Sequence, residues 1–224
     1  MKEETIKDIK AAHRLKRLIH SDKNRPKFHF CVPFDLGFPA DPNAVFFACG
    51  RWHLMYIYES REDSYRWGHA ISADLVHWSF LDDALIPDET DGGIYSGGVL
   101  LEEDGRAVIS YWALGRGNKN GGIRIATAYP PLYEKWNKMS GYAVECREWG
   151  ISYGENTSEL ACADPGNLWK EGDKYYMQTG NLPLLDKYRS LPSPPLDKRG
   201  DWTELFVSDN LCSWKYLHRF YKRD

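Results

Sequence analysis

This 224-residue chain contains no hydrophobic run of membrane-spanning length, and its N-terminus lacks the apolar core and small-residue cleavage site of a secretory signal. A cytoplasmic protein with no membrane partner is expected. Cysteine is scarce as a framework. The five present (Cys31, Cys49, Cys146, Cys162, Cys212) are an odd number with no Cys-x-x-Cys pair, which argues against a disulfide scaffold or a zinc site and for buried, reduced thiols. Excess charge is also missing. With 29 basic and 32 acidic residues the net charge is −3, so the total implies no nucleic-acid partner. Helical periodicity is absent after Leu18, and turn chemistry recurs every few residues, so the chain reads as all-β.

Aromatic residues, in contrast, are abundant. The chain carries 9 Trp, 14 Tyr and 9 Phe, a composition that suits strands and surfaces that stack on sugar rings, although aromatic cores are the more frequent cause. The length fits one domain or a piece of a larger one. Charge is unevenly placed: residues 1–30 hold 9 basic against 4 acidic side chains, and the remainder 20 against 28. Ile6, Ile9, Ala12, Leu15 and Leu18 recur at helical spacing in this arm, which is expected to form an N-terminal helix packed on the side of the domain. Its charges ring the helix and read as a solvated face rather than an anion-binding one.

Two repeats organise the rest. Ala40-Asp41-Pro42-Asn43 precedes an alternating apolar run to Tyr58, and Ala163-Asp164-Pro165-Gly166 precedes a second run to Met177. Proline fixes its own φ and extends the residue before it, so each pair is expected to aim a carboxylate at a strand entrance. Turn formation alone would also explain either copy. The second repeat aligns Ser72-Ala73-Asp74-Leu75-Val76-His77-Trp78 with Ser208-Asp209-Asn210-Leu211-Cys212-Ser213-Trp214 without a gap. A looser copy runs from Ala126 to Trp136. Units of roughly sixty residues that open with a strand and hairpin are the pattern of propeller blades. The domain plan is an arm over residues 1–30 and a partial propeller over 31–224, with blades at about 41–81, 95–139 and 164–217. Glu102-Glu103-Asp104-Gly105 reads as a hairpin turn, and Asn181 to Arg199, with Pro183, Pro192, Pro194 and Pro195, as a long loop.

Several other patterns carry little. Gly115 to Gly122 has the composition of a phosphate loop without the following helix, and a hairpin loop at the funnel rim fits it better. Gly93-Ile94-Tyr95-Ser96-Gly97 is not a nucleophile elbow, its first glycine being one place early. His53, His69 and His77 read as strand histidines with satisfied ring nitrogens.

Asp41-Pro42-Asn43, Arg51 to Tyr56, Trp67-Gly68-His69-Ala70-Ile71-Ser72-x-Asp74-Leu75-Val76-His77-Trp78, Tyr95-Ser96-Gly97 and Asp164-Pro165 together resemble glycoside hydrolase family 32, the invertases, inulinases and levanases. The Trp67 to Trp78 stretch is the specific part. The resemblance implies a propeller of the five-bladed type, with about three blades present, that cleaves fructosidic bonds with retention and needs no metal or cofactor. It makes Asp41 the nucleophile and Asp164 the carboxylate that holds sugar hydroxyls in the transition state. Asn43, Trp67, Tyr95 and Ser96 would then bind the carbohydrate, with packing between blades as the other reading of Trp67.

Departures accompany the matches. Ala40 stands where the family has Asn, Ala44 where it has Gly, Ile57 where it has Gln, and Ala163 where it has Arg. The last removes a cation that would keep Asp164 ionised. Glu145-Cys146 spells the family's acid/base pair but falls in the wrong blade, so the chain is expected to stop short of that glutamate, to hydrolyse little by itself, and to self-associate through an exposed blade face. A propeller glycosidase acting on arabinosides, and a non-catalytic sugar-binding propeller, are the alternatives.

Overall fold

The computed structural model describes residues 10, 13–14, 16–18, 20–24, 30, 32, 36–61, 64–115, 120–147, 151–153, 159–199 and 201–223. They form three antiparallel sheets. The first is β1 (Gly37–Ala48), β2 (Arg51–Ser60), β3 (Tyr65–Ser72) and β4 (Trp78–Leu85), in that order. The second starts with β5 (Asp91–Leu101), β6 (Ala107–Gly115) and β7 (Asn120–Ala128). The third is β12 (Trp169–Glu171), β13 (Lys174–Thr179), β14 (Asp201–Ser208) and β15 (Trp214–Arg223).

The looser middle copy has a physical form. The fourth-strand position beside β7 is divided between β8 (Asn137–Lys138) and β9 (Val144–Arg147). The amides of Met139 and Ala143 donate to Ile125 and Ile123 on β7, so residues 140–142 loop out between the two pieces. From β9 the sheet continues through β10 (Ile151–Tyr153) and β11 (Glu159–Ala161), giving seven strands on the path and beside it.

Sheet 2 is covered on both faces, so β6 is buried along nearly its whole length instead of on alternate residues. One core joins it to sheet 1 through Phe46, Met55, Ile57, Trp67, Ile94 and Tyr111. A second joins it to sheet 3 through Val108, Ile123, Ile125, Met177 and Phe206. Each fully buried large side chain of this kind contributes about 1.5–3 kcal/mol. The outer faces of sheets 1 and 3 carry exposed rings instead, among them Phe47 and Phe220, each 52% exposed.

The gapless repeat is a turn built twice. In sheet 1 the Ser72 hydroxyl accepts from the amides of Asp74 and Leu75 at 3.2 and 2.8 Å, and Asp74 Oδ1 from those of Val76 and His77 at 2.9 and 2.8 Å. In sheet 3 Ser208 and Asn210 repeat these bonds to Asn210, Leu211, Cys212 and Ser213. Leu75 and Leu211 both lie in the left-handed region, at φ 65° and 66°. That costs a non-glycine residue about 1–2 kcal/mol. Leu75 is exposed and Leu211 buried, so the same substitution should diverge. Leu75→Gly trades strain for unfolded-state entropy and is expected to leave stability within about 1 kcal/mol. Leu211→Gly forfeits a core side chain and should cost roughly 2–5 kcal/mol. Urea midpoints of the two variants decide it.

Four expectations need correction. Asn181 to Arg199 is not an irregular loop: it holds helix α1 (Leu182–Arg189) and a 3-10 turn at Leu196–Lys198. Proline opens the helix, where its missing N–H costs nothing, and Leu184 is buried against Trp202 with Leu185 and Tyr188 beside them. Two turns are too short to show a helical period in the sequence. Cys49 and Cys212 are exposed, not buried, whereas Cys146 and Cys162 are buried and lie side by side, brought together by the β9–β11 fold-back; Cys31 lies outside the described residues. The described residues of the arm between 10 and 21 are helical and exposed, and they include Leu18, expected on the packed face but 60% exposed. Ile6, Ile9, Ala12 and Leu15 lie outside the described residues, as do 116–119 of the glycine-rich loop.

The histidines are the fourth. His77 sits in the turn, paired with Asp74. His53 Nδ1 and His69 Nε2 share one hydrogen bond at 3.0 Å inside the core, leaving His53 Nε2 and His69 Nδ1 without partners. His53 stacks on Phe46 at 4.7 Å. Burial, with the charge of His53 second, lowers the His69 pKa from 6.5 to about 3, and burial lowers that of His53. Between those values the unfolded chain binds a proton that native His69 refuses, so stability should fall as pH falls below 6.5, by about 1.4 kcal/mol per unit from His69, with His53 acting in the same direction. Above 6.5 the pair contributes no pH dependence. His69→Gln should flatten the loss seen between about pH 6.5 and about pH 4.5; an unchanged slope would contradict the account.

Candidate active site

Ladder interruptions place the candidate residues. On β1, Pro39 pairs with Tyr58, Pro42 with Tyr56 and Ala44 with Met55, with a register shift at each step. Ala40, Asp41 and Asn43 are the residues left out of the pairing. Proline cannot donate to a ladder, and strand prolines accordingly mark bulges and edges. Asp41 therefore lies inside a strand rather than at its entrance, turned by a bulge. On β5 the pairing jumps from Ile94–Ala113 to Gly97–Tyr111, so Tyr95 and Ser96 stand in a second bulge. Bulges of this kind re-aim side chains. Asp164 reaches its place differently: it precedes β12 in the left-handed region at φ 47°, between an Ala163–Gly180 bridge and a Gly166 N–H that donates to the Gln178 carbonyl at 2.9 Å.

These three interruptions meet. The Ser96 hydroxyl donates to the Asp164 carboxylate, and the charge of Asp41 is felt there. Asp164 is an exposed residue, yet loss of water is the first cause that raises its pKa above the usual carboxylate range; Asp41 adds to the rise and the Ser96 bond opposes it. Ala163 is fully buried and supplies no cation to Asp164. Ile57 and Ala44 are buried too, so neither offers a polar group at its position. Asn43 is partly buried, with a buried Nδ2 that has no partner.

Tyr95 is half-buried, its ring 5.2 Å from Tyr65 and 5.4 Å from Trp112. Trp67 is placed otherwise than a sugar-stacking role requires. Its indole is fully buried between sheets 1 and 2, and its N–H donates to the Tyr95 carbonyl at 2.9 Å. An indole without exposed surface cannot stack on a ligand; it fixes the bulge that presents Tyr95. Glu145 is exposed on β9. Glu204 is buried, accepting from Trp202 Nε1 at 2.6 Å and the Tyr216 hydroxyl at 3.0 Å, and burial raises its pKa. The sequence reading missed the Tyr65 and Trp112 rings beside Tyr95, which carry no motif, and the bonds that tie the Asp164 turn to sheet 2.

Three stacked antiparallel sheets define a β-propeller, and Asp41 on β1 and Asp164 ahead of β12 lie near enough for the charge of the first to be felt at the second. The chain belongs to the glycosyl hydrolases family 32 N-terminal domain, whose family model matches residues 29–224. It is 27% identical over 184 residues to a cell wall isozyme of beta-fructofuranosidase from Zea mays, covering 78% of this chain and 30% of that protein. It is 24% identical over 216 residues to a levanase from Bacillus subtilis (strain 168), covering 90% and 27%. Among solved structures, fructan 1-exohydrolase IIa from Cichorium intybus superposes with a TM-score of 0.65 at 20% identity, over 88% of this chain and 34% of that one. The chain thus spans about a third of the length of the relatives it matches.

Proposed function

We propose that this chain supplies the nucleophile-bearing part of a retaining glycosidase site for fructosides, in which Asp41 attacks the anomeric carbon and Asp164 grips sugar hydroxyls as the transition state forms. The observation that carries the reading is the convergence of Asp41, Ser96 and Asp164 from three sheets at two bulges and a left-handed turn. Strain and broken ladders concentrate where side chains must be aimed. The names of the relatives support a fructosyl substrate.

In the reaction the Asp41 oxygen bonds to the anomeric carbon while the glycosidic C–O bond breaks, and the leaving oxygen takes a proton from a second carboxyl about 5–5.5 Å away. Water, deprotonated by that same group, then releases the sugar from Asp41. Asp41 suits the first role, being exposed. Asn43 offers its carboxamide to a sugar hydroxyl, Ser96, whose proton is given to Asp164, accepts from another, and Tyr95 offers a ring edge. Neither Glu145, exposed on β9, nor Glu204, bound to Trp202 and Tyr216, is assigned the proton donor's part.

The test is an assay of the full-length polypeptide carrying residues 1–224 on sucrose, inulin, levan and an aryl arabinoside, with binding read alongside. Hydrolysis of the fructosides is expected. Turnover of the arabinoside alone, or sugar binding without turnover, would overturn the proposal.

A further inference from the structure

The turn that bears Asp164 has little support from its own sheet: β12 is three residues long and pairs only from Trp169 onward. Sheet 2 holds it instead. Asn167 Oδ1 accepts from the Val99 amide at 3.0 Å, an N–H on β5, the terminal strand of the sheet-2 path. The buried Ser110 hydroxyl donates to the Gly166 carbonyl at 3.1 Å. The approach is close enough to need a glycine: a Cβ on Gly98 would lie 2.4 Å from Asn167 Oδ1 and 2.6 Å from the Asn167 backbone nitrogen. A side chain three residues after Asp164 and a glycine two residues after Ser96 thus form one joint between the segments that carry those two groups.

We propose that Asn167 is a positioning residue for Asp164, acting through its bond to Val99 to keep the Asp164 carboxyl against Ser96 and within reach of the charge on Asp41. A neutral carboxamide suits the task, since its oxygen can accept from Val99 without adding a third negative charge beside the two carboxylates. In Asn167→Ala the turn loses its link to β5, and water reaches Asp164. Desolvation and Asp41 both raise the Asp164 pKa, so loosening the turn should return it toward the ordinary value.

The experiment is a titration of the Asp164 side-chain carbon by NMR on residues 1–224, with fructose and short fructo-oligosaccharides as binding probes. Asn167→Ala should lower the Asp164 midpoint by about half a pH unit or more and weaken sugar binding about tenfold. Asn167→Asp keeps the acceptor oxygen and adds a charge, so its midpoint should move up instead. Gly98→Ala, which forces the joint apart from the other side, should reproduce the downward shift and serves if Asn167→Ala does not fold. A general loss of stability would not send the two Asn167 variants in opposite directions. An Asp164 midpoint unmoved by both Asn167→Ala and Gly98→Ala overturns the inference. The sugar readout rests on the fructoside reading and the titration does not: a shifted midpoint in a chain that binds no fructoside would leave Asn167 in its role and refute the substrate.

Discussion

Asp41→Asn is expected to lower turnover of fructosides by roughly 10⁴-fold or more in the full-length polypeptide, with affinity for the sugar largely kept. The carboxamide has nearly the shape of the carboxylate and fits the same bulge between Pro39 and Ala44, so the sugar should still be held by Asn43, Ser96 and Asp164. What is lost is the negative oxygen that forms the covalent bond. Near-normal turnover in this variant would remove Asp41 from the role. Steady-state rates on sucrose, with isothermal titration of fructose as the binding control, give the comparison.

The second large effect concerns stability. Asp91 is buried at the start of β5 and accepts from Arg124 Nη1 at 2.6 Å and Lys138 Nζ at 2.5 Å. Asp88 stands beside it, 3.0 Å from Lys138 and 3.4 Å from Arg124, and Lys138 also donates to the Ile86 carbonyl at 2.6 Å. The knot ties the crossover between sheets 1 and 2 to β7 and β8. Asp91→Ala would leave a buried Arg124 and a partly buried Lys138 to share one half-exposed carboxylate. Breaking a buried pair by removing one partner costs about 3–5 kcal/mol, which for a chain of this size lowers the melting temperature by roughly 6–20 °C. Replacing Asp91, Arg124 and Lys138 together by apolar residues should cost far less, because the one charge left unpaired, Asp88, is half-exposed and keeps its bonds from Thr90. Calorimetry of the single and triple variants tests both statements, and an Asp91→Ala protein that melts with the unaltered chain would contradict them.

Legibility in the sequence followed the range of the interactions. The Ser72 and Ser208 turns were readable because each is closed within a few residues by its own hydroxyl and Asx oxygen, so a local code repeats when the structure does. The Asp41 and Asp164 pairs were readable as a repeat, but not their means of support: a bulge in one and a left-handed turn in the other put equivalent groups in place by different backbones. Trp67 looked like a sugar platform because tryptophan serves both stacking and packing, and only the Tyr95 carbonyl opposite its N–H decides between them. The Asp91 knot draws on three separate segments, and α1 is stabilised by Trp202, a contact beyond its own two turns. No local pattern announces either.

The central claim, that Asp41 and Asp164 form one site, is tested most directly by the Asp164 carboxyl midpoint measured by carbon-13 NMR in the unaltered chain and in Asp41→Asn. The Asp41 charge contributes to the raised Asp164 pKa, so neutralising it should move the midpoint down, toward the ordinary carboxylate value; a midpoint that stays where it was would show that the two carboxylates do not face one another.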